Sequence, residues 1–150
     1  MKFSLKTISY ISLLAICWVA GVSYAGYLTI KVPSSFQITQ PGIAVSPGIS
    51  AFWYGPSYSI WAFPPKLPSG SYAKIYFTLQ SGNSVCIVPG VFLSVVNVPD
   101  TSHYSNNVSL TPKSTSGSLA PSSTCPYKSY SMQFSAPDSY YYYTATFSFK

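Results

Sequence analysis

The chain has 150 residues, 47% of them hydrophobic and 17% aromatic, yet only 7% charged, with eight lysines, two aspartates (Asp100 and Asp138) and a single histidine, His103. Abundant aromatics exclude intrinsic disorder, which belongs to chains that cannot bury enough apolar surface to offset the entropy of ordering, and the length suits one domain. So few titratable groups leave little material for acid–base catalysis, which needs a positioned proton donor or acceptor near its working pH.

The first 25 residues read as a helical, cleavable secretory signal peptide. Lys2 and Lys6 give a positive start, Ile8 to Val22 is predominantly apolar, and Ser23 and Ala25 place small residues at the −3 and −1 positions of a cleavage site. The apolar run is shorter than the roughly 20 residues that span a bilayer. Cys17 follows the bulky Ile16, where a lipoprotein signal carries a small residue, so lipidation is not expected. No later segment is apolar and long enough to span, so the mature chain from Gly26 is expected to lack an integral membrane span.

The rest of the chain alternates apolar and polar residues with the period of two that marks a strand with one buried face. Leu28, Ile30 and Val32 oppose Thr29 and Lys31. Next comes an aromatic stretch, Phe52 to Phe63, which reads as a hairpin turning at Gly55-Pro56. Ala73, Ile75, Phe77 and Leu79 oppose Lys74, Tyr76 and Thr78, and Val91 to Val98 is apolar on both faces, as a central strand covered on both sides would be. Residues 102–126 are rich in Ser, Thr, Asn and Pro and read as a long exposed loop with one short edge strand at Asn107 to Thr111. Within it, Asn107-Val108-Ser109 fits the N-glycosylation pattern. Tyr130, Met132 and Phe134, then Tyr143, Ala145, Phe147 and Phe149, complete the alternating series.

Proline and glycine punctuate these segments at Pro41-Gly42, Pro47-Gly48, Pro64-Pro65, Pro89-Gly90 and Pro99-Asp100, each a turn, an edge or a bulge. The expected fold is therefore all-β: a single antiparallel β-sandwich, immunoglobulin-like or jelly-roll-like, over residues 26–150, with about seven to nine strands. Removal of the signal leaves Cys86 and Cys125, which in an oxidising compartment read as a disulfide. Closing that loop would stabilise by about 4 kcal/mol on the chain-entropy model.

Candidate site residues are aromatic. In the hairpin these are Trp53, Tyr54, Tyr58 and Trp61; Tyr58, Ile60 and Ala62 share one face while Trp61 and Phe63 share the other, so both faces are apolar. Rings on an outward face would form a stacking platform for sugars or a partner protein, and rings on an inward face would fill the core. Tyr140, Tyr141, Tyr142 and Tyr143 enter the last strand consecutively, so alternate rings point to opposite faces.

Other chemistries lack material. Asp100 and His103 lie three residues apart in a loop with no G-x-S-x-G elbow, and Asp100 and Asp138 would have to be the whole of any carboxylate pair. No spacing of Cys, His, Asp or Glu suggests a metal site, and no glycine-rich loop suggests a phosphate or other cofactor. The lysines are scattered and there is no arginine to fork onto a base or phosphate, so nucleic acid is not an expected partner.

The expected function is a secreted or periplasmic, non-enzymatic binding module that meets a protein or carbohydrate surface through exposed aromatic rings. The first alternative is a structural subunit of an extracellular assembly that self-associates through its sheet edges. The second is a small secreted hydrolase centred on His103.

Overall fold

The computed structural model describes residues 24–98, 107–135 and 141–150. These hold ten strands: β1 (Tyr24–Lys31), β2 (Gln37–Val45), β3 (Ile49–Tyr54), β4 (Ser57–Ala62), β5 (Tyr72–Ser81), β6 (Ser84–Val98), β7 (Asn107–Pro112), β8 (Ser116–Ser118), β9 (Ser129–Ser135) and β10 (Tyr142–Phe149), with no helix among the described residues. Most of the signal segment, together with Asp100, His103, Asp138 and Tyr140, lies outside the described residues.

All ten strands belong to one mixed sheet ordered β2-β5-β6-β7-β1-β10-β9-β8, with β4 added to β1 and β3 to β4. The expectation of a purely antiparallel arrangement is corrected at β1. Its first turn of pairing is a single parallel bridge to β7, Ala25 to Asn107, and from Tyr27 to Lys31 the same edge pairs in parallel with Tyr142 to Thr146 of β10. One strand edge accepts one neighbour at a time, so β7 departs where β10 takes over. The other edge of β1 carries β4 antiparallel. The sheet thus divides at β1 into two wings, β2-β5-β6-β7 and β3-β4-β1-β10-β9-β8.

The wings curl toward each other. β5 and β10 are four strands apart in the order, about 19 Å in a flat sheet at the usual strand spacing. Phe77 of β5 nevertheless meets Phe147 of β10 edge to face, with ring centroids 5.2 Å apart. The core between them is the alternating set read from the sequence: Leu28 and Ile30, Tyr58, Ile60 and Ala62, Ala73 to Leu79 at every second position, Tyr130 and Met132, and Tyr143, Ala145 and Phe147 are all buried.

One reading is narrowed and another changes. Of the turn, edge or bulge expected at Pro89-Gly90, the structure has a bulge within β6, where Ile75 pairs with Val91 but Phe77 pairs with Val88. The extra residue resets the alternation, so Cys86 and Val88 before it and Val91, Leu93 and Val95 after it all point inward. Val91 to Val98 is covered on one face only, because Phe92 and Val96 are 41% and 54% exposed.

The Ser/Thr-rich stretch also contributes more than a loop with an edge strand. β7 lies inside the order, between β6 and β1, with Val108 and Leu110 buried. Asn107, the glycosylation candidate, is buried too. β7 pairs with β6 only from Leu93 onward, and residues 120–125 cover the earlier part of that edge. Ala120 N–H donates to the Ile87 carbonyl at 3.0 Å, Ser122 Oγ donates to the Val85 carbonyl at 2.7 Å, and Val85 N–H donates to Thr124 Oγ1 at 3.0 Å. The expected pair Cys86 and Cys125 is bonded beside these contacts, with an S–S distance of 2.02 Å.

Candidate aromatic binding face

The hairpin geometry sorts the aromatic residues. β3 and β4 join through Gly55-Pro56, and Tyr54 pairs with Ser57, Trp53 with Tyr58 and Phe52 with Ser59. Directly opposed residues in an antiparallel pair share a face. Tyr58 is 1% exposed, and Trp53 follows it inward with the two rings 4.5 Å apart.

The opposite face of the same strands looks outward. Phe52 and Tyr54 are 52% and 67% exposed, and Trp61 is half-buried on that side. Register extends this face across two more strands: Phe52 opposes Ser59, Ser59 opposes Tyr27 on β1, and Tyr27 lies beside Tyr142 on β10. Tyr27 and Tyr142 stack at 4.9 Å with planes 16° apart, and Tyr142 is 52% exposed. Ser59 is only 5% exposed although its side chain is on the outward face, which makes it the floor of a trough between Phe52 and Tyr27. The row from Phe52 to Tyr142 spans three strand spacings, about 14 Å.

A second row runs parallel to the first. Tyr54, Ser57, Thr29, Thr144 and Ser135 follow one another across β3, β4, β1, β10 and β9. Thr29 Oγ1 and Ser57 Oγ are 3.1 Å apart, and Ser135 Oγ accepts from Thr144 N–H at 3.1 Å. The outer surface of this wing therefore presents a line of rings beside a line of hydroxyls, a pairing of apolar faces and hydrogen-bonding groups that suits amphipathic ligands.

Of the residues expected from the sequence, Tyr54, Trp61 and Tyr142 join this face. Tyr58 and Tyr143 do not, because both are core: Tyr58 hydroxyl donates to the Gly42 carbonyl at 3.2 Å, and Tyr143 hydroxyl accepts from the Leu110 N–H at 3.1 Å. Burial pushes the Tyr58 hydroxyl pKa up to about 12, with a smaller contribution from Tyr76. Tyr141 packs partly against the core and takes a positive φ of 60°. Trp53 instead lines a shallow groove of about 610 Å³ with Ile30, Lys31, Gln37 and Pro56. Phe52 and Tyr27 were not singled out from the sequence; the two-residue hairpin already implied that Phe52 and Tyr54 share a face opposite Trp53 and Tyr58.

Among the described residues no group of three His, Cys, Asp or Glu is placed to hold a metal ion, and no helix is long and apolar enough to cross a membrane. Comparison with protein-family models, curated proteins and solved structures finds no match to this chain.

Proposed function

We propose that this chain is an exported, non-enzymatic binding module with a β-sandwich domain, and that it engages a carbohydrate surface through the outer face of β3-β4-β1-β10. The observation that carries this reading is the outward row of Phe52, Tyr27 and Tyr142 with Trp61 beside it. Large rings left on a surface while every second neighbour enters the core are the pattern of a site that works by contact. The bonded cysteine pair supports an oxidising compartment. Electrophoresis of the mature protein through gels containing a neutral β-glucan, xylan or mannan tests the reading. Retardation by at least one of them is expected, and migration unchanged in all three would contradict it.

A second reading, self-association into an extracellular assembly, has one specific support. Among the described residues β3 pairs only with β4, so no described strand covers its other edge, which lies beside exposed Phe52 and Tyr54. An apolar open edge is a template for another strand. Light scattering at high protein concentration separates the two readings, since a strict monomer excludes assembly.

A further inference from the structure

The first described strand crosses the boundary expected for the export signal. A cut after Ala25 would make Gly26 the first residue of the exported chain, yet β1 begins two residues earlier, at Tyr24. Those two residues are built into the sheet. Tyr24 pairs with Ala62 and Ala25 with Trp61 on the β4 side, and Ala25 also makes the parallel bridge to Asn107 of β7. Ala62 is the last residue of β4, so Tyr24 stands at the end of that ladder, while Gly26, opposite Ile60, stands two positions inside it.

Burial follows the same boundary. Tyr24 is 8% exposed and belongs to the core, on the inward face that continues through Gly26, Leu28 and Ile30. Gly26 is itself buried, and a Cβ on it would stand 2.9 Å from the Val108 carbonyl oxygen, so β7 closes over this part of β1. A chain cut after Ala25 would lose a core tyrosine, two pairings with β4 and the bridge to β7. It would also place a new α-ammonium at the buried Gly26, where a charge gives up its water shell. A cut before Tyr24 keeps every one of these contacts and leaves the ammonium at the end of the β1–β4 ladder.

A second processing pattern lies at that point. Secretory signals end on two small residues separated by one, and Gly21 and Ser23 have this spacing just as Ser23 and Ala25 do. We infer that the export signal is removed at the Ser23–Tyr24 bond, and that Tyr24 and Ala25 are the first two residues of the exported domain. The inference rests on the export reading proposed above and assigns its processing site.

The full-length chain is expressed in an exporting host, and the protein recovered outside the cytoplasm is read by N-terminal sequencing and intact mass. A start at Tyr24 is expected. A start at Gly26, or at any other residue of an exported chain, overturns the inference and leaves the export reading standing, whereas an uncut chain retained in the cytoplasm overturns both. A check that does not depend on the host compares residues 24–150 with residues 26–150, each released from a fusion with no residue left behind and with the Cys86–Cys125 bond formed. The longer chain is expected to melt at least about 8 °C above the shorter, or the shorter to fail to fold. Equal melting temperatures overturn the inference, because Tyr24 and Ala25 would then add nothing to the domain.

Discussion

Tyr27 and Tyr142 stack with ring centroids 4.9 Å apart on adjacent parallel strands, and this pair ties the start of the described chain to its last strand on the outer surface. Both rings already reach solvent, so the stack contributes modestly, about 0.5–1.5 kcal/mol beyond area burial. Tyr142→Ala is expected to lower the melting temperature by no more than about 5–8 °C. A calorimetric scan of the variant checks this, and complete loss of the folding transition would make the pair a structural keystone instead.

Gly26 of β1 lies against Val108 of β7. A Cβ there would lie 2.9 Å from the Val108 carbonyl oxygen and 3.3 Å from Val108 Cβ, and the first is a backbone atom held in the sheet. Gly26→Ala is therefore expected to destabilise by about 1–3 kcal/mol, the range for overpacking a filled core. Urea denaturation gives the value directly, and a variant as stable as wild type would show that β7 yields easily.

Cys86 anchors residues 120–125 to the part of the β6 edge that β7 does not reach. The chain-entropy model gives about 4 kcal/mol for a loop of this length, so Cys86→Ala/Cys125→Ala is expected to lose roughly that amount. The hydrogen bonds from Ala120 and Ser122 remain to hold the segment, and the variant's unfolding midpoint in guanidinium decides the size of the loss.

The pH response should be one-sided. Tyr58 binds its proton more tightly in the fold than in the unfolded chain, with a pKa near 12 against an ordinary 10, and burial shifts Tyr130 in the same direction. A raised folded pKa gives stability that is complete below pH 10 and is lost as pH rises toward 12. The acid side has only two aspartates and one histidine to protonate. Melting temperature is therefore expected to change by less than about 10 °C between pH 3 and 8 and to fall steadily above about pH 10. Tyr58→Phe should blunt the alkaline fall; an unaltered alkaline slope in that variant would assign the effect to other tyrosines.

Much of the fold was legible because alternation is a local signal. The inward sets of β1, β5, β9 and β10 were read directly from Leu28, Ile75, Met132 and Phe147 with their neighbours. Partner choice was not legible. Nothing local to Tyr27–Lys31 says that these residues will pair in parallel with a strand over a hundred positions later. Pro89-Gly90 fits a turn, an edge or a bulge equally well by its local chemistry, and the pairing of β5 on both sides of it selects the bulge. For the candidate face, the excess of rings was visible but their sides were not. Trp53 and Trp61 sit on opposite faces of one hairpin, and Tyr142 and Tyr143 on opposite faces of one strand. The signal that assigns Phe52 outward is the register of a two-residue hairpin.

The outward rings are held to act by binding and the inward rings by folding, and one paired measurement separates these roles. Phe52→Ser/Tyr142→Ser should melt within about 10 °C of wild type and lose retention on whichever neutral polysaccharide retards the wild-type protein. A double variant that still binds as wild type does, or one that no longer folds, would contradict the assignment of this face as the binding surface.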